Sequence, residues 1–342
     1  MIAIRVDSND IIAMGHIMRC LSIADRLKEN PLFICSEEST RKIVEKANYT
    51  CLCLHNKYTD KEAELDKMLE IIVQQEINVL LVDSYEVTET YLKKLHTKTC
   101  IVYIDDLNKI YYDVDMIINY TYKTDKRIYD KWQYTSHMQY LLGSKYAPLR
   151  KQFEQSPIEI KGAKEIFVTT GGTDPYHVIL GLIKLLKNKN YVLNIVLGNY
   201  YHDDQELSET VKGNERIILY KNINNMAEVM KKSDLAISAG GTTLIELFTL
   251  GIPTICFTMA DNQMEGVKNY AQNGIAMYAG DVRYNRDSVL QQIVNGIETF
   301  AVDIEKRKEM SACMQASFDG KGAIRIAKCL EQLENVDRKI KQ

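Results

Sequence analysis

Short apolar runs alternating with amphipathic stretches along the whole chain restrict its fold more than any other feature. "IAIRV", "LFIC", "VLLVD", "CIVYID" and "DMIINY" in the first half, and "EIFVTT", "VLNIVLG", "RIILY", "LAISA" and "PTICFTM" in the second, are too short for core helices. They are also too uniformly apolar for strands with one wet face. They read as about five strands per half, joined by helices, which is the pattern of a parallel, doubly wound α/β sheet. At 342 residues the chain exceeds what one core usually organises, so two Rossmann-like domains are expected. The stretch "GSKYAPLRKQFEQSPIEIKGAKE" (residues 143–165) holds two of the five prolines and no sustained period. It puts the boundary near residue 155 and the domains at 1–155 and 156–342. From Asp303 onward two helices, broken by "DGKG", are assigned to the second domain. Two such sheets are expected to face a cleft, because ligands bind outside the carboxyl ends of their strands.

Charge excludes one class of partner. The 43 basic and 46 acidic residues are interleaved and leave a net charge of −3, so no basic field exists to hold nucleic acid. No segment reaches the roughly 20 apolar residues of a membrane helix, and the N-terminus turns polar after "MIAIRV". A cytoplasmic protein without membrane insertion is expected. The eight cysteines (Cys20, Cys35, Cys51, Cys53, Cys100, Cys256, Cys313 and Cys329) are scattered, and the only close pair is a C-x-C. They read as reduced, buried thiols, with no metal site.

Four places could carry chemistry. After the first strand comes a polar loop and then a helix in which Ile17, Cys20, Leu21, Ala24 and Leu27 recur at helical spacing. His16 falls in its first turn, where a neutral imidazole can accept a proton; the alternative is a polar residue bonded to its own loop. His55, His96, His137, His177 and His202 look solvated. "LAISAGGTTLIELFTLGIP" is a strand, then Gly240 and Gly241, then a helix, an arrangement that brings a phosphate onto backbone N–H groups or simply makes a tight turn. Glu246, one turn beyond Thr242 in an apolar helix, could accept both hydroxyls of a ribose. Gly171, Gly172 and Thr173 in "VTTGGTDPYH" could form a nest for a diphosphate, and Asp261, Asn262 and Gln263 suit a sugar or phosphate oxygen. Asp83, Tyr85, Asp105 and Asp106 stand at strand ends as caps or site residues. No G-x-G-x-x-G follows the first strand, which sets aside a nicotinamide enzyme.

The series "RVDSNDIIAMGHIMRCLSIAD", "LLVDSY", "YIDDL", "GSKYAPLR", "VTTGGTD", "SAGGTTLIEL" and "DNQ" resembles the UDP-2,4-diacetamido-2,4,6-trideoxy-β-L-altropyranose hydrolases of pseudaminic acid biosynthesis, from about residue 2 to residue 330. The resemblance implies a GT-B fold related to the MurG glycosyltransferases. It also implies cleavage of the anomeric C–O bond of a UDP-sugar with no metal or cofactor. It makes His16 the base toward water, places Tyr85 and Asn262 near the sugar or the water as catalytic residues, and puts Glu246 on the ribose. The remaining substrate and UDP contacts it implies are Gly15, Arg19, Asp83, Gly171, Gly172, Thr173, Gly240, Gly241, Thr242 and Gln263. The chain departs from the family at Ala13, where members carry glycine, and it lacks the leading glycines of the MurG-type "GGTGGH" loop. A glycosyltransferase using the same UDP-sugar site, or a UDP-sugar-binding protein without turnover, are the other readings.

Overall fold

The computed structural model describes residues 1–8, 14–109, 111–132, 138–154, 157–198, 201 and 205–340, with backbone alone at 132 and 336–340. Ala13, His137 and His202 lie outside the described residues. The chain divides into two compact units, one made of 1–151 with 320–342 and the other of 152–319.

The first unit is built on β1 (Ile2–Val6), β2 (Leu32–Cys35), β3 (Cys51–Cys53), β4 (Val79–Asp83), β5 (Cys100–Ile104), β6 (Met116–Asn119) and β7 (Gln139–Leu142). They pair in the order β3-β2-β1-β4-β5-β6-β7, every pair parallel. Successive side chains of a strand point to opposite faces, and here both faces are covered. Ile4, Val6, Leu81 and Val102 pack with Ile17, Cys20 and Ile23 of the helix Gly15–Ala24. Ala3, Leu80, Val82 and Ile101 pack on the other face with Met68, Ile72 and Tyr91. That two-sided burial is why the strands read as unbroken apolar runs.

The second unit carries β8 (Glu165–Thr169), β9 (Val192–Val196), β10 (Ile217–Tyr220), β11 (Leu235–Ala239), β12 (Thr254–Thr258) and β13 (Met277–Asp281), in the order β10-β9-β8-β11-β12-β13 and again all parallel. In each sheet the strand order reverses once, between β1 and β4 in the first and between β8 and β11 in the second. Such switch points open a crevice at the carboxyl ends of the strands.

Three observations correct the sequence reading. The sheets have seven and six strands, not five each; the additions β3, β7 and β13 are all edge strands. The helix Gly322–Ile340 belongs with the first unit, although its position in sequence suggests the second. Its Ile326 and Leu330 lie in the same core as Ile17 and Leu21, and Arg325 Nη1 donates to the Lys145 carbonyl at 2.7 Å. Glycine is required at its first residue, since a Cβ on Gly322 would stand 2.1 Å from the Ala147 carbonyl oxygen. Finally, the eight free cysteines are not all buried: Cys53, Cys100 and Cys329 are half-buried and Cys313 is exposed. Among the described residues no helix is long and apolar enough to cross a membrane.

Candidate functional site

The β1–β4 pairing sets Val6 opposite Asp83, the last residue of β4. His16, second residue of the helix that follows β1, therefore reaches the same crevice, and its Nδ1 lies 2.6 Å from Asp83 Oδ1. The Asp83 carboxylate is fully used. Arg19 Nη2 donates to Oδ1 at 2.5 Å, Arg19 Nε donates to Oδ2 at 2.6 Å, and the Cys20 thiol lies 3.4 Å from Oδ2. Burial opposes the charge on Asp83, but Arg19 and His16 outweigh it and hold the carboxyl well below the usual range. An ionised carboxylate only accepts, so the proton of this bond sits on His16 Nδ1, which in a neutral ring leaves the lone pair on Nε2.

A second carboxylate joins through the same arginine. Arg19 Nη1 donates to Asp106 Oδ2 at 2.7 Å and contacts the Tyr120 hydroxyl at 2.5 Å, while the Tyr85 hydroxyl donates to Asp106 Oδ2 at 2.8 Å. The Tyr85 ring meets His16 edge-on, with centroids 4.5 Å apart at 80°. Burial and the neighbouring Asp106 push the Tyr85 phenol well above its ordinary value, so it stays protonated. Tyr85 is still 44% exposed, which leaves its ring as the wall beside His16.

Arg19 and Asp83, read from sequence as substrate contacts, bond each other, and Asp83 also meets His16. Asp106, read from sequence as a strand-end cap or site residue, is a further partner of Arg19, and Tyr120 is a partner that the sequence reading misses; the signal available is its place at the end of β6. Asp105 faces inward, accepting from Leu107 N, Asn108 N, Tyr112 and Tyr129. The end of β1 is anchored by a buried network in which Arg5 pairs with Asp7 and Glu64, and Lys61 Nζ binds Asp7 Oδ2 at 2.7 Å. His96 is not solvated in the simple sense: Asp113 and Asp115 lie 2.9 and 3.0 Å from its two nitrogens.

In the second unit the two glycine turns follow β8 and β11, the neighbours at the switch point. Gly171 adopts φ +85°, a left-handed conformation that favours glycine. Gly198, which the sequence reading passes over, lets that turn close: a Cβ there would lie 2.0 Å from the Gly171 carbonyl oxygen and 2.5 Å from that of Gly172. Gly172 and Thr173 are exposed, and Asp174 accepts from Val178 N and Ile179 N at 2.9 Å each, starting the next helix. Gly240 has a packing role, since its Cβ would meet Val267 Cγ2 at 2.6 Å, whereas Gly241 faces open space. Thr242 is exposed and Glu246 half-buried on the helix Thr243–Thr249. In the helix Asp261–Gln272, Asp261 pairs with Arg283 Nη1 at 2.7 Å, Gln263 Oε1 accepts from Met259 N at 2.9 Å, and Asn262 is exposed. Gly15 opens the His16 helix with nothing within 4 Å of a notional Cβ.

Residues 165–326 match the glycosyltransferase family 28 C-terminal domain. The two-sheet architecture is the GT-B fold: Acinetobacter baumannii MurG superposes with a TM-score of 0.69 at 13% identity, over 97% of this chain and 99% of MurG. Among curated relatives, an uncharacterized protein of Methanocaldococcus jannaschii is 27% identical over 79% of this chain, and the match spans 58% of that protein's length. Bacillus subtilis spore coat polysaccharide biosynthesis protein SpsG is 25% identical over 94% of both chains. The Helicobacter pylori pseudaminic acid cytidylyltransferase and UDP-2,4-diacetamido-2,4,6-trideoxy-β-L-altropyranose hydrolase is 27% identical over 64% of this chain and 40% of its own.

Proposed function

We propose that the chain hydrolyses the anomeric C–O bond of a UDP-linked 2,4-diacetamido-2,4,6-trideoxy sugar, with His16 as the base that activates water. The observation that carries this reading is the Asp83–His16 pair at the β1–β4 switch point, an imidazole whose proton is fixed on Nδ1 by a buried carboxylate. Water gives a proton to His16 Nε2 as its oxygen bonds to C1. The bond from C1 to the β-phosphate oxygen breaks, and its electron pair leaves with UDP. Asp83 then balances the imidazolium, as the acidic member of a Ser-His-Asp triad does. Tyr85 stands beside the ring, and Asn262 and Gln263 contribute polar groups toward the sugar. Backbone N–H groups around Gly171, Gly172, Thr173, Gly241 and Thr242 hold the diphosphate, and Glu246 takes the ribose.

The family 28 match and the likeness to MurG favour a second reading, in which the same base activates an acceptor hydroxyl and the sugar is transferred. UDP release from UDP-2,4-diacetamido-2,4,6-trideoxy-β-L-altropyranose, measured with chelator and without acceptor, separates the two. The hydrolase releases UDP, and His16→Gln lowers turnover about 10²–10⁴-fold with UDP affinity kept. Release that needs an added acceptor replaces hydrolysis by transfer, and unchanged turnover in His16→Gln removes the base assignment.

A further inference from the structure

The C-x-C pair of the sequence, extended to "CLCLH", ends beside the first turn of a helix. β3 runs along the edge of the first sheet and stops at Cys53, the register partner of Cys35 on β2. The chain then stays pinned to the end of β2, with Leu54 N donating to the Cys35 carbonyl at 2.9 Å and Asn56 N to the Ser36 carbonyl at 3.2 Å. His55, between them, takes φ +58°, a left-handed conformation that histidine adopts more readily than most residues. Its Nδ1 lies 3.6 Å from Cys53 Sγ. Zinc–ligand bonds of about 2.3 Å to sulfur and 2.0–2.1 Å to nitrogen, at a tetrahedral angle, set two such donors roughly 3.5–3.6 Å apart. A third donor is present: Glu38, first residue of the helix Glu38–Lys46, offers a carboxylate oxygen, and the three ligand atoms lie within 4.8 Å of one another.

We propose that Cys53, His55 and Glu38 form a binding site for one zinc-class divalent cation, tying the edge strand β3 to the start of the neighbouring helix. The donor set of a thiolate, an imidazole and a carboxylate suits a borderline-soft ion over magnesium or calcium, which take oxygen ligands. Cys53 releases its proton to solvent as the metal–sulfur bond forms, and solvent fills the fourth position. Glu38, within 4.8 Å of the other donors, closes to the roughly 3.3–3.6 Å that separates two ligands of one tetrahedral ion. It is exposed and its links to Arg41 Nη1 at 3.4 Å and His55 Nε2 at 3.8 Å are loose, so the movement is open to it. The site is independent of the proposed hydrolysis.

The test titrates Zn²⁺, then Co²⁺, into the whole chain reduced with a non-chelating phosphine, by calorimetry and by absorbance. One equivalent of Zn²⁺ is expected, with thiolate-to-cobalt charge transfer and intense visible bands for Co²⁺. Cys53→Ser and His55→Gln each weaken binding at least about 10-fold, and Cys313→Ser, which removes the exposed thiol, leaves it unchanged. His55→Gln replaces an exposed side chain and keeps the test valid if Cys53→Ser fails to fold. Absence of binding, or binding indifferent to both Cys53→Ser and His55→Gln, overturns the site.

Discussion

Replacing Asp83 by asparagine separates charge from shape at the centre of the candidate site. Both carboxylate oxygens accept from Arg19, and one also faces His16 Nδ1. The amide can be placed in two ways. With its NH₂ toward His16, it donates to Nδ1 and drives the imidazole proton to Nε2, where it blocks proton acceptance. With its NH₂ toward Cys20, it opposes Arg19 Nε and leaves the imidazolium without a counter-charge. The first placement removes the proposed base and the second weakens it, which predicts a fall in turnover of about 10²–10⁴-fold, or roughly 3–5.5 kcal/mol in the barrier. Stability falls as well, by about 3 kcal/mol, because a buried guanidinium loses an ionic partner, though it keeps Asp106 and Tyr120. Initial rates of UDP release and urea unfolding on one preparation test both points, with UDP affinity, expected unchanged, measured by calorimetry beside them. Turnover within about threefold of the parent at full folding would refute the role given to Asp83. Loss of UDP affinity matching the loss of rate would place Asp83 in nucleotide binding instead.

Two further outcomes follow from residues outside the dyad. His96 is held charged by its hydrogen bond to Asp115, against the cost of burial and with help from Asp113, and its pKa is raised to about 9. A raised folded value means this stabilisation is full below the unfolded value near 6.5 and is lost as pH rises through about 9. Urea unfolding should show the parent more stable than His96→Gln by about 1–2 kcal/mol at pH 6, a value discounted for the part-exposed ring, with the difference closing above pH 9; parallel pH profiles would refute it. Gly198→Ala forces its Cβ against the Gly171 and Gly172 carbonyls, so the turn after β8 must move, and UDP affinity should fall at least about 10-fold with folding retained. Calorimetry that finds parent affinity would remove that turn from the nucleotide site.

What was legible in the sequence follows from where information is local. The nine interior strands show as apolar runs because both faces are buried, and the edge strand β10 shows as well because "IILY" stays apolar although Ile218 is exposed. The other three edge strands, β3, β7 and β13, do not, because their partly exposed positions make them very short, as in "CLC", or interrupt the run with polar or small residues, as in "QYLL" and "MYAGD". The last helix was readable as a helix from its apolar spacing, but not as part of the first unit. Its periodicity says that one face is buried and not against what.

The same distinction governs the site. His16 could be singled out because its environment, a strand, a polar loop and a helix start, is contiguous in sequence. Its partner Asp83 lies 67 positions away and Arg19's second carboxylate 87, and neither link exists until β1 pairs with β4 and β4 with β5. From sequence Asp83 reads as a cap or a substrate contact, because a polar residue at a strand end on the crevice edge has two possible uses. The register adds what the sequence cannot: with Val6 opposite Asp83, the carboxylate falls under the helix start and binds Arg19 there. Charge balance then does the rest. A buried carboxylate, Asp83, and a half-buried one, Asp106, facing one arginine leave a deficit of positive charge, and a histidine ring that can take up a proton is the group placed to relieve it.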